Sequence, residues 1–211
     1  MSFFQTFTHK LRLSNPWNYK VPLLLAFPYF FLLTGNASTW TATSSLIAAV
    51  ITTIGFAGLG YVTNDLSDFK KDALAGKQNS VAQLGRIKIY AILALFIILA
   101  IAPWFYLPVD GLSITLIVVE LGLFVVYAFP PFRFKEKGVL GIITDALYAH
   151  VIPAVLASWT FYLVGGKNYE YLVLFMVLLI TWQFLSGVRN IFYHQIKDFD
   201  NDMKSGVNTL V

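Results

Sequence analysis

Two short acidic segments, far apart in the chain, contain the residues whose chemistry stands out most. The first covers residues 64–72 and the second covers residues 198–202, and together they hold six of the eleven carboxylate side chains. Carboxylates this close repel one another unless a partner neutralises them. Divalent cations that carry a phosphorylated ligand would do so.

The spacing of these residues suits a metal site on helical ends. On a helix, the first segment places three carboxylates on one face and an asparagine one turn before the middle one. Two such faces at one end of a bundle would supply oxygen ligands for Mg²⁺ and leave open positions for diphosphate oxygens. The simpler alternative is a pair of solvated helix ends, with Lys71 and Lys204 as partners, but it explains one acidic segment better than two matched ones. The expected metal ligands are Asn64, Asp65, Asp68, Asp72, Asp198 and Asp202.

The elements that position these segments are apolar. The chain is 57% hydrophobic and 12% charged, with a mean hydropathy of +0.68, which excludes an ordinary water-soluble globule. A bilayer core needs roughly 20 apolar residues per helix. The sequence therefore predicts an all-α, polytopic transmembrane helical bundle of about six spanning helices, near residues 21–40, 43–63, 87–107, 112–130, 141–164 and 171–192.

The distribution of basic residues predicts the orientation of this bundle. If six helices alternate, fourteen of the fifteen Lys and Arg residues lie on the side that carries the N-terminus and both acidic segments, and only Lys167 lies on the other. The positive-inside rule then places the N-terminus and both acidic segments in the cytoplasm. The basic pI is thus explained by membrane topology and gives no reason to expect nucleic acid as a partner.

Three motifs in the chain resemble those of the UbiA superfamily of intramembrane prenyltransferases. The first segment is similar to the Asn-Asp-x-x-Asp-x-x-x-Asp motif, and the second is similar to Asp-x-x-x-Asp-x-x-x-Gly, which ends here at Gly206. Residues 127–135 resemble the segment Tyr…Pro-Pro-x-Arg/Lys-x-Lys that lies between the fourth and fifth helices of the superfamily. The motifs occur in the family order, and the likeness spans nearly the whole chain.

The resemblance implies an enzyme with a metal-bound donor. In that superfamily both acidic motifs bind Mg²⁺, and the metal holds a prenyl diphosphate whose allylic carbocation is attacked by an aromatic or other lipid-soluble acceptor, within membrane lipid. It implies catalytic roles for Asp68, Asp198, Lys135 and Tyr127. Further residues are expected to bind substrate: Asn64, Lys77, Arg133, Asp145, Arg189 and Lys197. Of these, Asp145 is assigned to the acceptor, whereas Arg189 and Lys197 have an alternative as partners of acidic residues.

The chain also departs from the superfamily pattern. An Arg-Pro-rich stretch commonly follows the first motif, and residues 73–80 lack it. The superfamily has nine helices, whereas this chain ends just after the second motif. We therefore expect residues 1–211 to form a single UbiA-like domain that is truncated at its C-terminus, with a short form that completes its cavity by oligomerisation as the alternative.

Three other functions compete with prenyl transfer. An intramembrane terpene cyclase would quench the same cation internally. A non-catalytic, truncated relative would use the acidic ends to bind cations or a partner. A cation transporter would need carboxylates near the membrane midplane, whereas here they cluster at one surface. Within the apolar segments, His150 is interpreted as a packing residue and Glu120 has no assigned role.

Overall fold

The computed structural model describes residues 14–74, 76, 79, 81–82, 84–167 and 169–205, and the side chains of those that lie between residues 24 and 197. Every regular element within these ranges is helical, which confirms the all-α prediction. We number the helices α1 to α6 in chain order: Ser14–Thr34, Thr39–Leu74, Arg86–Ile101, Gly111–Ala128, Val139–Val164 and Leu172–Ser205.

Each of the six predicted apolar segments corresponds to one of these helices. In the described part of the chain, α2 to α6 are long and apolar enough to cross a membrane, if α3 is extended to Phe105. Within α1, the stretch Leu24–Thr34 is apolar but shorter. A helix rises about 1.5 Å per residue, so that roughly 20 residues span the hydrocarbon core.

Two helices continue well beyond their apolar segments. Helix α2 has 36 residues and ends at Leu74, eleven residues past the predicted end of its spanning segment. Helix α6 has 34 residues and likewise runs through the second acidic segment to Ser205. Hydropathy marks where a chain leaves the lipid, but neither Gly nor Pro interrupts these polar stretches, and Asp, Asn and Lys permit a helix to continue. Both acidic segments are therefore helical.

Other helices change geometry where the sequence requires it. Helix α3 passes into a 3₁₀ turn, Ala102–Phe105, because Pro103 cannot donate the next α-helical hydrogen bond. Helix α4 ends before Pro130 for the same reason. Helix α5 contains a π-helical turn at Leu147–Val151, a feature that changes the face on which later side chains point and that is frequent at functional sites.

The chain divides into two compact units. The first consists of the described parts of Met1–Val62, Ser80–Ser113 and Leu156–Glu170. Within it α2 and α3 pack closely, because a Cβ at Gly55 would meet the backbone of Ala100 and one at Gly58 would meet the Phe96 ring. Small residues at such crossings allow transmembrane helices to approach.

The second unit contains the residues with candidate chemistry. It consists of Thr63–Asn79, Ile114–Val155 and the described part of Tyr171–Val211. In it Gly187 of α6 lies against Ala146 of α5, since an added Cβ would come within 2.7 Å of the Ala146 Cα atom. The first acidic segment, the loop after α4 and the described C-terminal end of α6 thus belong to one unit. That residues 1–211 form a single domain stays a prediction.

Candidate functional site

The last turns of α2 carry the first acidic motif, as its spacing predicts. Asp65 is buried, with 5% of its surface exposed, whereas Asn64, Asp68 and Asp72 are partly exposed. The C-terminal end of a helix bears partial negative charge from its unpaired carbonyl groups, so that cations are favoured here even before the carboxylates are counted. This end of α2 is therefore a strongly anionic surface.

Lys135 sits on the oxygen atoms of this motif. Its Nζ lies 2.7 Å from Asp68 Oδ1 and donates hydrogen bonds to Ser67 Oγ at 2.6 Å and to Asn64 Oδ1 at 3.0 Å. These three contacts use the three donors of an ammonium group. Burial lowers the pKa of the Lys135 side chain, and the adjacent Asp68 carboxylate opposes this effect only in part. The motif thus already holds one cationic group through three oxygens.

Arg133 approaches the same carboxylate from the loop after α4. One outer nitrogen donates to Asp68 Oδ1 at 2.9 Å and the other to the Ser67 carbonyl oxygen at 3.0 Å, while Nε donates to Glu136 Oε1. The backbone of Arg133 has φ 41° and ψ 54°, a left-handed conformation that costs a non-glycine residue about 1 kcal/mol. The surrounding contacts hold this residue in place despite that cost.

Glu136 connects Arg133 back to α2. Its Oε1 atom also accepts a hydrogen bond from Lys71 Nζ at 2.7 Å. Burial acts to raise the pKa of Glu136, but the hydrogen bonds from Lys71 and Arg133 outweigh it and the net shift is downward. Glu136 is therefore an ionised bridge between two cations.

Sequence reasoning missed Glu136 and Ser67. Glu136 lies in a stretch that otherwise reads as a basic loop, Arg-Phe-Lys-Glu-Lys. A signal was nevertheless present, because Glu136 is the one acidic residue between Glu120 and Asp145. A single acid among three basic residues can pair with one of them, and Glu136 pairs with Arg133 and also with Lys71.

The remaining carboxylates of the first motif have other environments. Asn79 donates from Nδ2 to Asp72 Oδ2 and to the Asp65 carbonyl oxygen, both at 2.7 Å. Among the described residues, no three acidic or histidine side chains lie close enough to hold a metal ion by themselves. The three aspartates share a helix end, as predicted, but the Asp68 carboxylate contacts Arg133 and Lys135 whereas the Asp72 carboxylate contacts Asn79.

Several predicted site residues lie outside this network. Helix α6 places the backbones of Asp198 and Asp202 one turn apart, but their side chains, like the whole of Lys77, lie outside the described residues. Arg189 and Lys197 are exposed on α6 and form no ion pair with the side chains that the structure describes. Their predicted roles stay predictions.

Tyr127 and Asp145 meet in a second cluster of the same unit. The Tyr148 hydroxyl donates to Asp145 Oδ1 at 3.0 Å, and the Tyr127 and Tyr148 ring centroids are 4.9 Å apart. Phe124 completes the cluster with an edge contact to Tyr148 at 5.3 Å. Tyr148 comes from the π-helical turn of α5 and was not predicted. Both the Asp145 and the Asp68 carboxylates lie within electrostatic range of the Tyr127 hydroxyl.

Two other polar residues of the spanning segments have no place in these clusters. His150 Nε2 lies 3.5 Å from Asn190 Nδ2, next to the close approach of Gly187. Glu120 is 3% exposed, and its Oε2 atom has no hydrogen-bond partner among the described residues. Neither residue is assigned a role in the chemistry.

The arrangement at the end of α2 can bind both a divalent cation and an anion. Carboxylate, amide and hydroxyl oxygens converge on a positive charge there, and such hard donors suit Mg²⁺. The cations Arg133 and Lys135 belong to another segment, and both can bind phosphate oxygens. The donor set therefore fits Mg²⁺ together with a phosphorylated ligand.

Comparison with known proteins identifies similar sequences and folds. A sequence model described as the UbiA prenyltransferase family matches residues 21–211. No curated protein matches the chain. Two solved structures resemble it, both with a TM-score of 0.62: a UbiA homolog from Archaeoglobus fulgidus bound to DMAPP and Mg²⁺, at 18% identity, and a UbiA homolog from the same organism bound to GPP and Mg²⁺, at 19% identity.

The extent of this likeness is limited. Each structural match covers 88% of this chain but only 62% of the solved one, so that the chain spans less than two thirds of the length of these relatives. At such low identity the likeness concerns the fold. It supports the helical architecture described above.

Proposed function

The chain belongs to the UbiA prenyltransferase family, and from this premise we propose that it transfers a prenyl group from a prenyl diphosphate to an aromatic or other lipid-soluble acceptor, with Mg²⁺ as cofactor. It is an integral membrane protein, with five helices of spanning length and composition in its described part. The observation that carries the proposal is the meeting of Arg133 and Lys135 at Asp68. The basic segment and the acidic motif, which the sequence separates widely, are in direct contact.

The donor is proposed to bind at this site. Mg²⁺, held by Asn64, Asp65, Asp68, Asp72, Asp198 and Asp202, would neutralise charge on the departing diphosphate. Arg133 presents a planar fork of donors that matches phosphate oxygens, whereas Lys135 acts as a point charge. If Asp68 binds Mg²⁺, then Arg133 and Lys135 are available to contact the diphosphate. The DMAPP and GPP of the related structures are prenyl diphosphates and support this donor class.

The reaction proposed here is a substitution at the first carbon of the prenyl chain. The carbon–oxygen bond to the diphosphate breaks, and its electron pair leaves with the diphosphate. An electron pair of the acceptor then forms the new bond to the allylic cation, and the acceptor loses a proton. Arg133 and Lys135 stabilise the leaving group, while the apolar helices keep water from the cation.

The acceptor is assigned to the cluster around Asp145. This carboxylate, with the hydroxyl of Tyr148 bonded to it, offers polar contacts beside the rings of Tyr127 and Phe124. Aromatic faces also favour a nearby cation. Lys77, Arg189 and Lys197 are kept as further candidates for the diphosphate. From the charge distribution, we place the N-terminus and both acidic motifs in the cytoplasm.

Binding of a labelled prenyl diphosphate to the purified protein in detergent tests this function. We expect saturable binding with Mg²⁺ and its loss on chelation, on Asp68→Asn and on Asp198→Asn. The control is Glu170→Gln, which removes one exposed carboxylate in the first unit and should bind as the wild type does.

Retained Mg²⁺-dependent binding in both aspartate variants would overturn the assignment of the metal ligands. If the wild-type protein itself fails to bind the donor, the non-catalytic alternative becomes the better description. Circular dichroism and size-exclusion profiles that match the wild type would show that each variant is folded.

A further inference from the structure

We propose that Glu136 is a positioning residue, which holds the Arg133 side chain so that its two outer nitrogens face the diphosphate site. This inference rests on the proposed function, because it concerns the anion that Arg133 would bind. Neither the motifs nor the resemblance assigned any role to Glu136. Its contacts in the second unit carry the argument.

The first step is that the nitrogens of the Arg133 guanidinium have different partners. Nε is bonded to Glu136, whereas both outer nitrogens point to the end of α2, to Asp68 Oδ1 at 2.9 Å and to the Ser67 carbonyl oxygen at 3.0 Å. An arginine that is held through Nε directs its two outer nitrogens away from the holding group, and such a pair can make a bidentate contact with phosphate oxygens. Glu136 thus fixes the orientation of the fork without occupying it.

The second step is the anchoring of Glu136 itself. The same Oε1 atom accepts from Lys71, which lies on α2 one turn after Asp68. The carboxylate is therefore tied to the helix that carries the acidic motif. This ion pair is partly accessible to solvent, because 24% of the Glu136 side chain and 33% of the Lys71 side chain are exposed.

The third step is the need for such a tie. If Asp68 bound a metal ion, Arg133 would lose its charged contact with the Asp68 carboxylate. Its backbone is left-handed, a conformation that persists only where surrounding contacts hold it. Glu136 then remains as the charged group that holds the guanidinium, beside the Ser67 carbonyl oxygen.

The sign of the effect distinguishes positioning from simple electrostatics. Removing the negative charge of Glu136 makes the site more positive, which by Coulomb attraction alone would tighten the binding of diphosphate. Loss of the tie instead frees the Arg133 side chain and weakens binding. The two explanations therefore predict changes in opposite directions for the same substitution.

The experiment measures the dissociation constant of inorganic diphosphate, with saturating Mg²⁺, for the wild-type protein and for Glu136→Gln. We expect weaker binding by about fivefold, the difference between a charged and a neutral hydrogen-bond acceptor. In an Arg133→Met background, the same Glu136→Gln change should cause no further weakening, because Glu136 acts through Arg133. Glu170→Gln is the matched control for the loss of one carboxylate.

Unchanged or tighter binding in Glu136→Gln would overturn the positioning role and leave the proposed function standing. An equal loss in the wild-type and Arg133→Met backgrounds would also overturn it, because it would show that Glu136 acts independently of Arg133. If the wild-type protein binds neither inorganic diphosphate nor a prenyl diphosphate, the anion site and the proposed function fail together.

Discussion

Asp68 and Asp110 are both partly exposed aspartates at helix ends, but their partners differ in kind. Asp68 at the end of α2 is contacted by the cationic side chains of Arg133 and Lys135, 65 and 67 residues further along the chain. Asp110 precedes α4 and accepts from the Ser113 N–H at 2.9 Å, the Ser113 hydroxyl at 3.0 Å and the Trp159 indole at 3.0 Å.

The difference teaches how to separate a structural carboxylate from a binding one. Asp110 is the N-cap of α4, and the donors that it accepts from, on Ser113 and Trp159, are neutral. The partners of Asp68 carry charge of their own and can serve a second anion when Asp68 is occupied by a metal. The type of donor around a carboxylate is thus more informative than its exposure.

The largest effect is expected when the charge of Asp68 is removed, and the same substitution at Asp110 is its comparison. Asp68→Asn should lose the Mg²⁺-dependent part of prenyl diphosphate binding, about a hundredfold or 3 kcal/mol, because a charged ligand of the metal is gone. Asp110→Asn should stay within about twofold of the wild type, as for a substitution remote from the site. Titration with the labelled donor at fixed Mg²⁺ measures both.

A further consequence of this prediction concerns the metal-free protein. In Asp68→Asn the cations Arg133 and Lys135 lose a shared anion, so that weak, metal-independent diphosphate binding should increase. A fall in that binding would contradict the view that Asp68 restrains the two cations.

The next largest effect concerns the cation closest to Asp68. Lys135→Ala should weaken diphosphate binding by about 2 kcal/mol, roughly thirtyfold, because a buried charged donor is lost. Its effect on Mg²⁺ affinity should be smaller. Lys137→Ala is the matched control, since Lys137 is exposed and its Nζ lies 5.3 Å from the Phe134 ring centroid. Equal losses in both variants would indicate a general surface effect of charge.

The smallest effect is expected at the cap. Asp110→Ala should lower the unfolding temperature and leave donor binding unchanged, with Asp110→Asn intermediate because an asparagine also caps a helix. The backbone hydrogen bond from Ser113 is the main cause that lowers the pKa of Asp110 below its ordinary value of 3.8.

The pH dependence at the cap has a definite sign. Because the pKa of Asp110 is lowered on folding, its ionised form stabilises the protein fully above its ordinary pKa, and this stabilisation is lost as the pH falls through the lowered value. The difference in unfolding temperature between the wild type and Asp110→Asn should therefore shrink in strong acid. A difference that grew on acidification would contradict this assignment.

Much of the fold followed from hydropathy alone. Six apolar segments correspond to six helices, and α2 and α6 continue beyond them as helix through the acidic segments, as the helical spacing of those segments predicts. Hydropathy reports burial in lipid, whereas helix length depends on backbone hydrogen bonds that polar residues also support. The π-helical turn that presents Tyr148 left no pattern in the sequence that we could recognise.

The sequence by itself determined the membrane class, the helical spacing of Asn64, Asp65, Asp68 and Asp72, and the presence of a basic segment after α4, because these depend on composition and local periodicity. Only the tertiary structure decided which cation meets which carboxylate, and that Glu136 bridges Lys71 and Arg133. Such pairings join residues about 65 positions apart. They depend on how α2 and the loop after α4 pack within one unit, and no local pattern encodes that distance.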